Sequence, residues 1–203
     1  MLAEAGTGTL LACGAVVLLA LLLLLSALGR HRGPLKTIVV LGSGGHTSEM
    51  LSLLSALPHA RFPEMVFMVA ATDTNTLGRL LRQFPRARVI RTPRAREVGQ
   101  SWVSTVGTTF VALLHAVWTV LKERPDCVMC NGPGTCVPVA YAAVLMRVIL
   151  LRRCKIAFVE SIARVHGLSL SGKLLYPVAD RFLVQWEDLV QKYPRAKYVG
   201  FVI

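Results

Sequence analysis

The chain has 203 residues, room for one ordinary domain and a membrane segment but not for two domains. Hydrophobic residues make up 54% and the mean hydropathy is +0.55, which argues against a purely soluble chain. The net charge of +12 asks for an anionic partner: lipid headgroups, a phosphorylated substrate or nucleic acid.

Residues 10–28, bounded by Leu10 and Leu28, form an unbroken apolar run of the length that spans a hydrocarbon core. A cleaved signal peptide is the rival reading, but the run is long for one and no basic residue precedes it. Arg30, His31, Arg32 and Lys36 follow it, so the expectation is a signal anchor with the C-terminal side in the cytosol. This divides the chain into a short lumenal stretch (1–9), an anchor (10–28), a basic linker (29–36) and a cytosolic domain (37–203).

From there strands and helices alternate. Strands are expected at residues 37–41, 65–70, 88–90, 127–130, 155–159, 182–184 and 198–203, each short and apolar. Helices are expected at 46–57, 76–84, 101–121, from 135 onward, near 172–176 and at 186–193. In the long helix Val103, Val106, Phe110, Leu114, Val117 and Leu121 recur at helical spacing, a stripe read as core packing. The apolar stretch 137–151 is short for a bilayer and holds Arg147, so a buried or membrane-skimming helix is expected rather than a second span. This alternation predicts an α/β fold: a Rossmann-like parallel sheet with helices on both faces, preceded by one transmembrane helix. In such sheets ligands sit beyond the carboxyl ends of the strands.

Two glycine-rich loops are expected at that edge. Gly42, Ser43, Gly44, Gly45, His46 and Thr47 follow the first strand and open a helix, whose free N–H groups suit a phosphate or diphosphate. Thr47 stands where a dinucleotide fingerprint has its third glycine, and no Gly-Lys-Ser/Thr follows, so the loop is neither that fingerprint nor a P-loop. Asn131, Gly132, Pro133, Gly134 and Thr135 make a second turn after the fourth strand, and two such loops make a wider phosphate cradle than one. His46 lies at a helix N-terminus, where imidazole favours the neutral form that a general base needs. Glu160 follows the fifth strand and is the alternative base. Asp73 is a helix N-cap or a sugar contact, and Ser161 a cap or a polar contact. Arg91, Arg94 and Arg96, and again Arg152, Arg153 and Lys155, are either solvated faces or contacts to anionic headgroups.

The cysteines are Cys13, Cys127, Cys130, Cys136 and Cys154. Cys127 and Cys130 sit in one apolar strand at an odd offset, which points them to opposite faces, so buried free thiols are expected rather than a redox or metal pair.

Several stretches carry a family resemblance. Leu41-Gly-Ser-Gly-Gly-His-Thr-Ser-Glu49, Pro93-Arg-Ala-Arg-Glu-Val-Gly-Gln-Ser-Trp102 and Cys130-Asn-Gly-Pro-Gly-Thr-Cys-Val-Pro138 resemble the membrane-anchored subunit of the dolichol-pathway UDP-N-acetylglucosamine transferase, the asparagine-linked glycosylation protein fourteen family. Phe158-Val-Glu-Ser161, Leu170-Ser-Gly-Lys173 and Val184-Gln-Trp186 are similar to it as well. The resemblance implies the acceptor-side half of a GT-B glycosyltransferase split over two chains, inactive alone. A soluble UDP-GlcNAc-binding chain would supply the donor half. The pair would be an inverting enzyme adding the second N-acetylglucosamine to GlcNAc-diphosphodolichol at the cytosolic face of the endoplasmic reticulum membrane, with no metal and no other cofactor. Likeness to a bacterial lipid-linked transferase matches Gly44, Gly45 and His46 to its first loop, Gly132 and Pro133 to its second, and Glu160 to an acidic acceptor-side position. The segment Tyr198-Val199-Gly200-Phe201-Val202-Ile203 is apolar to its last residue and is expected to be buried, either in the sheet or against that partner. A non-catalytic scaffold that only recruits its partner is the alternative. A nucleotide-dependent oxidoreductase lacks its glycine and its acidic residue, and a nucleic-acid binder lacks any recognition motif.

Overall fold

The computed structural model describes residues 33–96 and 99–202. The expected anchor with Leu10 and Leu28, the start of the linker and Ile203 lie outside the described residues. Seven strands form one sheet: β1 (Lys36–Leu41), β2 (Glu64–Ala70), β3 (Arg88–Thr92), β4 (Cys127–Asn131), β5 (Lys155–Val159), β6 (Arg181–Val184) and β7 (Ala196–Tyr198). Between them run α1 (Gly45–Ala56), α2 (Thr74–Gln83), α3 (Trp102–Glu123), α4 (Cys136–Leu150), α5 (Leu170–Leu175) and α6 (Asp188–Lys192). Every pairing is parallel and the order is β3-β2-β1-β4-β5-β6-β7. The chain therefore winds outward first to one side of β1 and then to the other. The reversal lies between β1 and β4, where doubly wound sheets open their ligand crevice.

Alternation along the central strands divides the core in two. Ile38, Val40, Val128, Cys130, Ile156 and Phe158 face α3, α4, α5 and α6, meeting Ala116, Val120, Ala143 and Leu175. Val39, Leu41, Phe67, Cys127 and Met129 face α1 and α2, meeting Met50, Leu54 and Leu80. Cys127 and Cys130 thus point to opposite faces, as their offset requires, and the four cysteines of the described residues are free and buried. Burial pushes the Cys127 and Cys154 thiols up to about 12, so they stay protonated at neutral pH.

Caps set the helix starts. Asp73 Oδ1 accepts from Thr76 N at 2.9 Å, and Ser101 Oγ accepts from Ser104 N at 3.2 Å. Ser169 Oγ accepts from Gly172 N at 2.9 Å at the head of α5. Gly44, the N-cap residue before α1, makes no side-chain cap, which leaves the first N–H groups of the helix without that partner at the crevice.

Two expectations are corrected. The large apolar stripe of α3 is not core along most of its length: Val103 is 87% exposed and Val106 72%, and Phe110 and Leu114 are exposed with them, while Val117 and Leu121 do pack inward. The buried face is the one carrying Ala112, Ala116 and Val120, because small residues let this helix lie close on α4 and the sheet. The last strand begins at Ala196 and ends at Tyr198, earlier than expected. β6 stops at Val184, whose carbonyl accepts from Val199 N at 3.1 Å, so the residues beyond have no strand left to pair with. In α4 the inner face is buried and Ile149, Leu150 and Leu145 lie outward, and Arg147 pairs with Asp180.

Candidate active site

The two glycine loops meet at the reversal point of the sheet. His46, the second residue of α1, reaches across to β4, where its Nδ1 lies 3.1 Å from Asn131 Oδ1. Its ring lies against Gly132, where a Cβ would stand 2.3 Å from Cε1, and Gly132 has φ +67. Only glycine meets both demands, so the second loop is shaped to receive the histidine.

His46 borders two cavities. One, of about 240 Å³, is lined by Gly42, Ser43, Asp73, Gly134 and Thr135 together with Arg94 and Arg96. The other, of about 420 Å³, is lined by Gly45, Gly132, Glu160, Ser161, Arg164 and Ser169. Expected loop residues thus divide between a basic hollow on the β2–β3 side and a mixed one on the β5 side, with Gly44 exposed at the rim.

Other expected contacts lie behind these walls. Thr47 is fully buried, and its hydroxyl donates to the Gly42 carbonyl at 2.5 Å and lies 2.8 Å from Thr76 Oγ1. Thr76 in turn donates its hydroxyl to Asp73 Oδ2 at 2.8 Å, so Asp73 caps α2 while bordering the basic cavity. The Asn131 side chain is buried between His46 and Glu49. These residues hold the loops from within.

Glu160 is 0% exposed. Its Oε2 accepts from Ser169 N at 2.9 Å and Ser169 Oγ at 3.0 Å, and its Oε1 from Ser161 N at 3.2 Å. Burial holds its carboxyl above the usual carboxylate range, against the opposing pull of the Ser169 and Ser161 donors and the Arg164 charge. The carboxyl ties the start of the loop after β5 to the head of α5.

Sequence reasoning missed Glu49 and Gln185, both buried. Glu49 Oε2 accepts from Asn131 Nδ2 at 2.9 Å and from Gln185 Nε2 at 3.5 Å, and its Oε1 accepts from Ser161 Oγ at 2.8 Å. A signal existed: Glu49 follows His46 by three positions on a helix and so shares its face. Gln185 carried no such mark, because its role depends on where β6 lies beside β5.

Tyr198 and Phe201 lie at the far edge of the sheet. Phe201 is 58% exposed and stacks edge-on against Trp186 at 5.1 Å, and Val202 N donates to Gln185 Oε1 at 2.9 Å. The apolar end is tethered rather than covered in this chain, which corrects burial in the sheet for the residues after Tyr198.

The doubly wound parallel sheet with glycine loops at its switch point defines a Rossmann-like domain of the kind found in GT-B enzymes. Solved structures share this fold: MurG of Acinetobacter baumannii (TM-score 0.60, 15% identity, 82% of this chain and 45% of that one) and UDP-GlcNAc 2-epimerase of Neisseria meningitidis (TM-score 0.59, 15% identity, 82% and 47%). The chain spans less than half of each. The family model for oligosaccharide biosynthesis protein Alg14 like matches residues 37–202, and the chain belongs to that family. It is 41% identical to the UDP-N-acetylglucosamine transferase subunit ALG14 of Mus musculus, over 95% of both chains. It is also 41% identical to the protein of the same name in Yarrowia lipolytica, over 97% of this chain and 99% of that one, and 40% identical to that of Homo sapiens, over 85% of each.

Proposed function

We propose that this chain is the acceptor-binding, membrane-anchoring subunit of a two-chain UDP-GlcNAc transferase. Its acceptor would be GlcNAc-diphosphodolichol, and the soluble donor-binding subunit would be recruited to the endoplasmic reticulum membrane. The observation that carries the reading is His46 standing between a basic cavity and a second, larger one at the switch point. Relatives that match along nearly their whole length are named as transferase subunits, which supports a partner chain.

In this reading the acceptor diphosphate lies in the cavity bordered by Arg94, Arg96, Ser43 and Thr135, facing the N–H groups at the head of α1. The acceptor sugar occupies the cavity bordered by Ser161 and Gly132. His46 takes the proton of the acceptor hydroxyl as that oxygen bonds to the anomeric carbon of the donor sugar, and UDP departs from the opposite face with inversion. His46 is preferred to Glu160 as base because both Glu160 oxygens already accept protein hydrogen bonds. The exposed apolar faces of α3 and α4, taken together with the apolar run at 10–28 in the sequence, suit apposition of the domain to the bilayer.

The test is turnover of the co-purified pair with a diphosphate-linked acceptor. His46→Ala is expected to lower kcat by on the order of 10²- to 10⁴-fold, and Gly44→Val to raise the acceptor KM. If His46→Ala and Glu160→Ala both keep wild-type turnover, the catalytic assignment fails. If Gly44→Val and Gly132→Val fold and also keep it, the chain is a recruiting scaffold.

A further inference from the structure

The buried carboxylate of Glu49 lies one turn after His46 on α1 and takes hydrogen bonds from three separate connections: Asn131 at the end of β4, Ser161 after β5 and Gln185 after β6. A carboxylate only accepts, so the Asn131 atom 2.9 Å from Glu49 Oε2 is the amide nitrogen. The reverse orientation would set two oxygens against each other in a buried site, and such a group left unsatisfied costs about 1–3 kcal/mol. Asn131 therefore turns its oxygen to His46, and that oxygen accepts. It follows that His46 Nδ1, at 3.1 Å, is the donor. The neutral ring then carries its proton on Nδ1 and leaves the Nε2 lone pair open.

We propose that Glu49 is a positioning residue: acting through the Asn131 amide, it fixes His46 in the Nδ1–H tautomer so that Nε2 can receive a proton. Glu49 also borders the larger cavity, but both its oxygens accept protein hydrogen bonds, so it acts through Asn131. Its side chain sets the amide, and the amide sets the ring. Ser161 holds the other carboxylate oxygen, and Gln185 donates to the same oxygen as Asn131, so the carboxylate is anchored from three residues. The inference rests on His46 being the base of the proposed reaction, but the tautomer itself can be read without any turnover.

The experiment uses the full chain labelled with ¹⁵N-histidine and co-purified with its partner in detergent, at about pH 8, above the ordinary histidine range. His46→Gln assigns the ring signals. The wild-type ring is expected to show the proton on Nδ1, and a ring carrying it on Nε2 overturns the proposal without any further variant. Glu49→Met, which keeps the bulk and removes the acceptor, is expected to give a mixture of tautomers. It should lower kcat by on the order of 100-fold while leaving the acceptor KM unchanged. Glu49→Gln, whose amide oxygen can still accept from Asn131, is expected to restore both the tautomer and most of the turnover. A Glu49→Met chain with an unaltered His46 spectrum shows a merely structural carboxylate and sinks the proposal. A tautomer shift in Glu49→Met, together with wild-type turnover in His46→Gln, would uphold the positioning role and reject His46 as the base.

Discussion

Gly172 packs so close to Glu160 that a Cβ there would stand 2.1 Å from Oε2. Gly172→Ala should push the carboxylate off Ser169 and cost about 1–3 kcal/mol, the penalty for leaving a buried polar group unmet. Chemical denaturation measures this directly, and a change within experimental scatter would show that the loop yields instead. The same carboxyl makes a pH prediction. Its folded pKa is raised, so the folded chain holds that proton more tightly than the unfolded one. Its contribution to stability is full below the unfolded carboxylate value and is lost as pH rises through the folded value. Glu123 runs the other way. Burial pushes it up, but Lys36 at 3.2 Å and Arg88 at 2.6 Å outweigh that and hold its carboxyl below the usual range. Its stabilisation is present above the unfolded value and is lost as pH falls through the folded one. Denaturation midpoints followed across the acid range should therefore decline less at low pH in Glu123→Gln than in the unaltered chain, and no less in Glu160→Gln.

At the scale of elements, α3 carries the clearest disagreement between pattern and packing. A helical stripe of Val103, Val106, Phe110 and Leu114 looks like a core face, yet the sheet receives Ala112, Ala116 and Val120. The window of α3 that is long and apolar enough to cross a bilayer is only 22% buried. Periodicity reports that one face is apolar; it does not report which face meets the sheet, because alanines let backbones approach and larger residues do not. Replacing Phe110 and Leu114 with serine should leave stability within about 0.5 kcal/mol, as for other exposed positions. If the face meets a bilayer, the double variant will lose turnover on acceptor presented in vesicles while keeping it on acceptor in detergent. Equal loss in both would remove the membrane role.

At the scale of the molecule, the apolar segment after β7 is linked from the edge of the sheet to the candidate site through Gln185. Val202 N donates to Gln185, and Gln185 donates to Glu49, so the segment is two hydrogen bonds from the carboxylate behind His46. Phe201 remains exposed on Trp186, an aromatic pair available for burial by another chain. If that chain is the proposed donor-binding subunit, Phe201→Asp should abolish co-purification with it without lowering the unfolding midpoint of this chain. Retained co-purification would place the interface elsewhere.

Sequence alone determined the strand and helix alternation, the parallel sheet and the two glycine loops, because these depend on local periods and on glycines whose reasons are local. It also determined the opposite facing of Cys127 and Cys130, which follows from pleat geometry. Family motifs carried the transferase assignment further than composition could. Only the tertiary structure decided which face of α3 is buried, where the last strand stops, and that Glu49 and Gln185 stand behind His46. Each of these depends on how separate elements pack in space, and around His46 the contacts join residues more than eighty positions apart in the chain, beyond the reach of any local pattern.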